Sequence, residues 1–308
     1  MAGGEIPIKR PNYLRGEPVT FAGLDPEEYP YDRSAVAVLP IPYEATTSFM
    51  AGTRNGPREL IQASRHLEVY DEELDAEVYR VGIHTLPDLQ TLSSSPEEMV
   101  GEIYRATKGI LDDGKFLVAL GGEHTITPPL VKAHLEKHPG LCVLQIDAHG
   151  DLRDTYQGSR YSHACAMRRV VEMTQGVQVG IRSISAEEVE VLSSLPTRLF
   201  YAFETRQDPH WHRRAVEALG NPVYVTIDLD GLDPSIMPAV GTPEPGGLSW
   251  HEVSALLREL TGQRRVVGFD VNELAPIPGL GAPNFLAAKL VYKFLGYIFA
   301  ERLKKASS

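Results

Sequence analysis

Four short stretches of this 308-residue chain combine carboxylates with imidazoles. They are Gly121-Gly122-Glu123-His124, Asp147-Ala148-His149-Gly150-Asp151, Asp228-Leu229-Asp230 and Asp270-Val271-Asn272-Glu273. In Asp147-x-His149-x-Asp151, alternate side chains point the same way along extended backbone, and Asp228-x-Asp230 repeats the pattern. Carboxylates gathered at that density repel one another unless cations neutralise them. Six candidate ligands stand out: His124, Asp147, His149, Asp151, Asp228 and Asp230. Four Asp and two His are too oxygen-rich for a structural zinc site. Such a shell suits manganese best, with iron, cobalt, nickel or zinc behind it. Two ions about 3.5–4 Å apart could share carboxylates and a water whose pKa falls from 15.7 toward roughly 7. The residues therefore point to a two-metal hydrolase. The competing reading is a set of helix caps and loop turns, where Asp is common.

The elements that must position these groups alternate. Apolar runs at Ala35–Leu39, Phe116–Leu120, Cys142–Ile146, Val177–Ile181, Val223–Ile227 and Val266–Phe269 lack polar alternation. Such runs suit parallel strands covered on both faces. Between them lie helical stretches at Arg58–Arg65, Pro96–Leu111, Pro128–His138, Ala186–Leu192, Trp211–Leu219, Trp250–Leu260 and Asn284–Leu303. Ser95-Pro96 and Ser249 read as helix starts. The alternation predicts one doubly wound α/β layer structure, in which ligands bind beyond the carboxyl ends of the strands. The four chemical stretches each follow one of those runs. Residues 1–34 read as an N-terminal arm and 35–308 as one catalytic domain. No repeat or low-complexity tract interrupts it.

Composition narrows the partners. With 30 Lys and Arg against 41 Asp and Glu, the formal charge is −11. That disfavours nucleic acid and anionic membrane, both of which call for basic surface. No run reaches the ~18 apolar residues of a spanning helix. The polar N-terminus, with Pro7 and Pro11, does not read as a secretory signal. Cys142 and Cys165 form no CxxC, which suits a reducing, cytoplasmic setting.

These segments together resemble the ureohydrolase family of arginases, agmatinases and formimidoylglutamases. Ser162-His163, Gly52-Thr-Arg-Asn-Gly-Pro57 and the stretch from Thr226 through Asp228-Leu-Asp-Gly-Leu-Asp-Pro-Ser to Gly246-Gly247 add to the resemblance, which covers nearly the whole chain. It implies a three-layer αβα sandwich with a mostly parallel sheet of about eight strands. It implies two Mn2+ per subunit. One would be held by His124, Asp147, Asp151 and Asp228, the other by His149, Asp147, Asp228 and Asp230, with a bridging hydroxide as nucleophile. Glu273 would receive the substrate guanidinium, whose planar donor fork fits a carboxylate. Asp151 would accept a proton, and His163 would pass one to the leaving amine. Homotrimers or homohexamers are implied as well.

The tail of the small guanidine substrate is read from the residues after Asp151. Arginases resemble one another in an Asn where this chain has Arg153, so the arginase carboxylate clamp is absent. The loop Thr242-Pro-Glu-Pro-Gly-Gly247 is more like agmatinases. The expected reaction converts agmatine, or a relative such as aminopropylagmatine, to urea and putrescine or spermidine. Either Arg153 points away from a cationic tail, or the tail is anionic and the enzyme a formimidoylglutamase or guanidino-acid hydrolase. A metal-binding protein without catalysis would lack a ligand, Glu273 or His163, and a one-zinc deacetylase-like hydrolase would lack the full ligand set. Glu123, Asp270 and Asp233 read as supports for the ligands, Cys165 as a packed residue, and Tyr156 and Tyr161 as residues of the mouth. His134 and His138, one helical turn apart, read as a solvated face.

Overall fold

The computed structural model of the chain describes residues 18–307. Residues 1–17 of the expected arm lie outside them. The described residues form ten strands: β1 (Val36–Ile41), β2 (Tyr70–Asp71), β3 (Ala76–Glu77), β4 (Ile83–Thr85), β5 (Phe116–Gly121), β6 (Cys142–Ile146), β7 (Gln175–Ile181), β8 (Thr197–Tyr201), β9 (Val223–Asp228) and β10 (Val266–Asn272). The α-helices are α1 (Gly56–Ser64), α2 (Pro96–Asp112), α3 (Thr127–Lys137), α4 (Ala166–Val171), α5 (Ala186–Val191), α6 (Ala202–Thr205), α7 (Trp211–Glu217), α8 (Trp250–Gln263) and α9 (Ala282–Ser307). Among the described residues, no helix is long and apolar enough to cross a membrane.

Eight strands make one sheet in the order β4-β1-β5-β10-β9-β6-β7-β8, every pair parallel. Only β2 and β3 stand apart, as an antiparallel pair. The sheet is buried on both faces because its side chains alternate between two apolar layers. Val36, Val38, Val118, Leu120, Leu144 and Val225 face Leu60 of α1, Ala215 of α7, Leu256 of α8 and Leu290 of α9. Ala37, Leu39, Leu117, Ala119, Val143 and Tyr224 face Ile103 of α2, Leu130 of α3 and Met167 of α4. This is the expected three-layer αβα sandwich.

The six apolar runs are strands, and the edge strands β4 and β8 are additions to that reading. At α2 and α8, Ser95 and Ser249 accept from the backbone of Glu98 and Glu252, three residues on, as N-caps do. Residues 18–34 pack against the domain: Phe21 is fully buried against Tyr292, and its N–H donates to Thr85 Oγ1 at 2.9 Å. His134 overturns the solvated-face reading. It is fully buried on α3, with Nδ1 donating to the Leu130 carbonyl at 2.8 Å and the ring packed on Tyr224.

The sheet order decides where chemistry can occur. β5, β10, β9 and β6 are the four central neighbours, so their carboxyl ends lie side by side. Those are the ends that carry His124, Glu273, Asp228 and Asp147.

Candidate metal centre

The six candidate ligands converge. His124 Nδ1 lies 2.9 Å from Asp151 Oδ2, 3.2 Å from Asp147 Oδ2 and 3.5 Å from Asp228 Oδ2. His149 Nδ1 lies 2.9 Å from Asp230 Oδ2 and 3.5 Å from Asp147 Oδ1. Two groups result, His124 with Asp147 and Asp228, and His149 with Asp147 and Asp230; Asp147 belongs to both. All six except His149 are buried.

Backbone geometry aims these side chains. Asp228 Oδ1 accepts the N–H of Asp230 at 3.0 Å, and Asp230 Oδ1 accepts that of Ala148 at 3.0 Å. Asp151 and Glu273 sit at φ +52° and +65°, a left-handed conformation uncommon outside glycine that turns their side chains out of the strand direction. Gly122 lets the β5 turn approach the chain after β1. A Cβ there would stand 2.0 Å from the Tyr43 carbonyl oxygen.

The donor set fits cations. Thr226 Oγ1 donates to Asp270 Oδ1 at 2.7 Å, so its oxygen accepts from His124 Nε2 at 2.9 Å. That bond fixes the imidazole and turns its other nitrogen toward the carboxylates. Nδ1 is buried and makes no well-aligned hydrogen bond to any of the three carboxylates around it. A nitrogen lone pair and three carboxylate oxygens at one point repel one another unless a cation sits among them. A proton answers that repulsion as a cation does, so these groups hold protons more tightly than usual. Burial and the charge of Asp147 push Asp151 up to about 7. Burial, Asp230, Asp147 and Glu273 push Asp228 well above the carboxylate range. Burial pulls the His124 pKa down, yet Asp147 and Asp151 together outweigh it and hold it well above the ordinary value.

A cavity of about 290 Å3 opens over the cluster. His124, His149, Asp151, Asp228, Asp230, Glu273 and His163 line it, while Asp147 lies beneath. Glu273 Oε1 accepts the His124 N–H at 2.7 Å, which places this carboxylate against the cluster. Burial and the charge of Glu123 push Glu273 well above the usual carboxylate range. Across the cavity, Thr46 donates its hydroxyl proton to Glu123 Oε1 at 2.8 Å and accepts from His163 Nδ1 at 3.1 Å. The His163 ring proton is therefore on Nδ1, and Nε2 is the ring's proton acceptor. Burial lowers its pKa, which favours the neutral ring.

A model of the arginase family matches residues 34–296. This chain belongs to the arginase family. The N(1)-aminopropylagmatine ureohydrolase of Synechocystis sp. is 42% identical over 283 residues, covering 89% of this chain and 92% of that protein. The agmatinase of Pyrococcus horikoshii is 36% identical, over 84% and 90%. The solved agmatine ureohydrolase of Thermoplasma volcanium superposes with a TM-score of 0.84 at 30% identity, over 94% of this chain and 97% of that one.

The arginase-family site also holds residues that pattern reading passed over. Gln145 Nε2 donates to Asp147 Oδ2 at 2.6 Å, and Gln178 holds Gln145 through its own Nε2. Thr226 and Tyr224 of β9 and Thr127 of α3 donate to Asp270, itself one of the expected supports. The signal of Gln145, Gln178 and Thr226 was a polar residue inside an apolar strand. Arg182 was missed too: its guanidinium donates to the carbonyls of Asp230 at 2.6 Å and Glu244 at 2.7 Å, pinning the loop after β9.

Of the expected supports, Asp270 backs His124 through Thr226. Glu123 instead holds the loop after β1, accepting from the N–H groups of Ala45 and Thr46 at 2.7 Å each. Asp233 clips its own loop by accepting from Gly246 and Gly247, both at 2.9 Å. Cys165 is buried and packed. Tyr156 lines the mouth, whereas Tyr161 faces a neighbouring cavity.

Proposed function

We propose that this protein is a dimanganese hydrolase that splits agmatine, or an aminopropylated relative, into urea and putrescine or spermidine. The observation that carries this is one cavity whose floor is the His/Asp cluster, with Glu273 against it and His163 across from it. Relatives named agmatinase and N(1)-aminopropylagmatine ureohydrolase support it. His124, Asp147, Asp151 and Asp228 would hold one ion; His149, Asp147, Asp228 and Asp230 would hold the other. Imidazole with carboxylate suits manganese. Bound there, the metal pair would polarise a water and lower its pKa toward neutrality.

The chain's own groups do the rest. Glu273 accepts the guanidinium N–H donors and sets the electrophilic carbon over the cluster. Asp151 takes the proton released when the water adds to that carbon. The bare Nε2 of His163 receives that proton from Asp151 by way of water and hands it to the departing amine, while Thr46 holds the ring through Nδ1. Substrate lying along the cavity reaches Tyr156 and Arg153 with its tail. Arg153 lines that wall, and this one observation favours the second reading, hydrolysis of an acid-tailed guanidine or formimidoylglutamate.

We assign residues 35–308 as one catalytic unit, the assembly as a homotrimer or homohexamer, and the location as cytoplasmic, the last supported by two free buried thiols. The test is urea release by manganese-loaded protein from agmatine, aminopropylagmatine, arginine, 4-guanidinobutyrate and guanidine, with ammonia release from formimidoylglutamate beside it. Preference for an amine-tailed guanidine is expected. Preference for an acid-tailed substrate would overturn the substrate assignment, and inertness toward all would overturn the reaction.

A further inference from the structure

Among the described residues, Arg153 is the one Arg or Lys on the cavity wall. Its guanidinium does not stand alone there. Nη1 lies 3.4 Å from Glu187 Oε2 and Nε lies 3.9 Å from Glu188 Oε2, both at the start of α5. The guanidinium carbon lies over the Tyr156 ring, 5.4 Å from its centre. Tyr156 in turn meets His163 edge-on at 5.8 Å, which ties this patch to the reacting end of the cavity.

The two carboxylates differ. Glu188 is buried and accepts the Leu152 N–H at 2.8 Å, the Ser185 N–H at 2.9 Å and the Ser185 hydroxyl at 2.8 Å. Those bonds fix it in place, and they cap α5. Glu187 is 85% exposed, and its contact with Arg153 is a long, single one. An exposed pair of that geometry is weak and screened by salt. Arg153 is thus parked by a removable partner, and with Glu188 on the cavity wall and Glu187 just outside it, two carboxylates stand against one guanidinium at the mouth.

We propose that the Arg153–Glu187 pair is the specificity device of the cavity. Parked on Glu187 and Glu188, Arg153 leaves the mouth negative and admits a cationic tail. Released from Glu187, its guanidinium can turn along the Tyr156 face into the cavity and hold a carboxylate tail. One exposed acidic residue then decides the sign of the tail this site accepts. The inference rests on the guanidine-hydrolase reading of the same cavity and adds which residues read the far end of the substrate.

Two substitutions push the mouth charge in opposite directions. Arg153→Gln leaves both carboxylates uncompensated. Glu187→Gln leaves one carboxylate against the guanidinium and frees Arg153. Glu187 is exposed and outside the cap formed by Ser185 and Glu188, so its replacement leaves α5 intact. The matched probes are agmatine and 4-guanidinobutyrate, similar in length and opposite in tail charge.

The kcat/KM ratio of agmatine to 4-guanidinobutyrate is expected to rise roughly three- to tenfold in Arg153→Gln, as one unit charge in a half-solvated mouth implies. It is expected to fall by a similar factor in Glu187→Gln. Both shifts are expected in KM more than in kcat, and both shrink at high salt. A merely structural role would move both substrates together and leave the ratio unchanged. An unchanged ratio, or shifts in the same direction, overturns the proposal. If the unsubstituted protein hydrolyses neither probe, the hydrolase reading fails. Calorimetric binding of the same two compounds then still tests the charge device through opposite affinity shifts in the two variants, and their absence overturns it.

Discussion

Thr226→Val removes one hydroxyl and keeps the β-branched shape that suits strand β9. Thr226 is fully buried and stands between the His124 ring and Asp270. Asp270 keeps Tyr224 at 2.7 Å and Thr127 at 3.0 Å, so its carboxylate stays well served. His124 fares worse: its Nε2–H is left facing a methyl group in a dry site. An orphaned buried donor costs about 1–3 kcal/mol. At roughly 2 °C per kcal/mol for a chain of this size, metal-stripped protein should melt about 2–6 °C lower. The ring also loses the bond that aims Nδ1. Loss of such an outer hydrogen bond typically lowers metal affinity about 10–100-fold. Thermal unfolding of stripped protein and equilibrium titration with Mn2+ measure the two effects separately. Thr226→Ser, which keeps the hydroxyl, should stay near the unsubstituted protein. Manganese bound as tightly by Thr226→Val as by the unsubstituted chain, or Thr226→Ser failing equally, would refute the reasoning.

Other outcomes follow from the same geometry. Glu273→Gln should retain both metals by elemental analysis and lose roughly a hundredfold in kcat/KM, because a charge-assisted fork to the guanidinium is gone; unchanged kcat/KM would show the anchor lies elsewhere. His163→Asn should lower kcat about a hundredfold or more while metal content and KM hold, checked by steady-state kinetics and by loss of one limb of the pH profile. His134 sets an acid limit on stability. Burial holds its pKa down at about 4 against an ordinary 6.5, so the folded chain resists the proton that the unfolded chain takes. Its neutral form costs nothing above pH 6.5, and stability is lost as pH falls from there through about 4, by up to about 3 kcal/mol. Melting curves of the protein and of His134→Leu across that range should converge toward the acid end if His134 carries the loss, and stay parallel if it does not.

The legible part of this fold was its central strands. β5, β6, β9 and β10 are apolar on both faces, so each shows as a continuous run, and the groups just past their ends were the ones with chemistry to offer. Edge strands obey a different rule. β8, Thr197-Arg-Leu-Phe-Tyr201, is half exposed, and β4 has three residues, so neither shows an apolar run. The short helices α4 and α6 lack a periodic stretch long enough to register. In the site, local spacing revealed which residues could face one point. It could not reveal partners brought in by the fold. Thr46 meets His163 across 117 residues, and Glu187 meets Arg153 across 34. His134 misled for the same reason: one polar residue on an amphipathic helix looks solvated until its neighbours, Tyr224 and Gly268, are known.

The most direct test of the central claim is urea release from agmatine by metal-stripped protein titrated with Mn2+. The account predicts no activity in the stripped protein and a rise that levels off at two ions per chain, with Asp228→Asn inactive and unable to hold both. Full activity in the stripped protein, a plateau at one ion, or an active Asp228→Asn with both metals bound would contradict it.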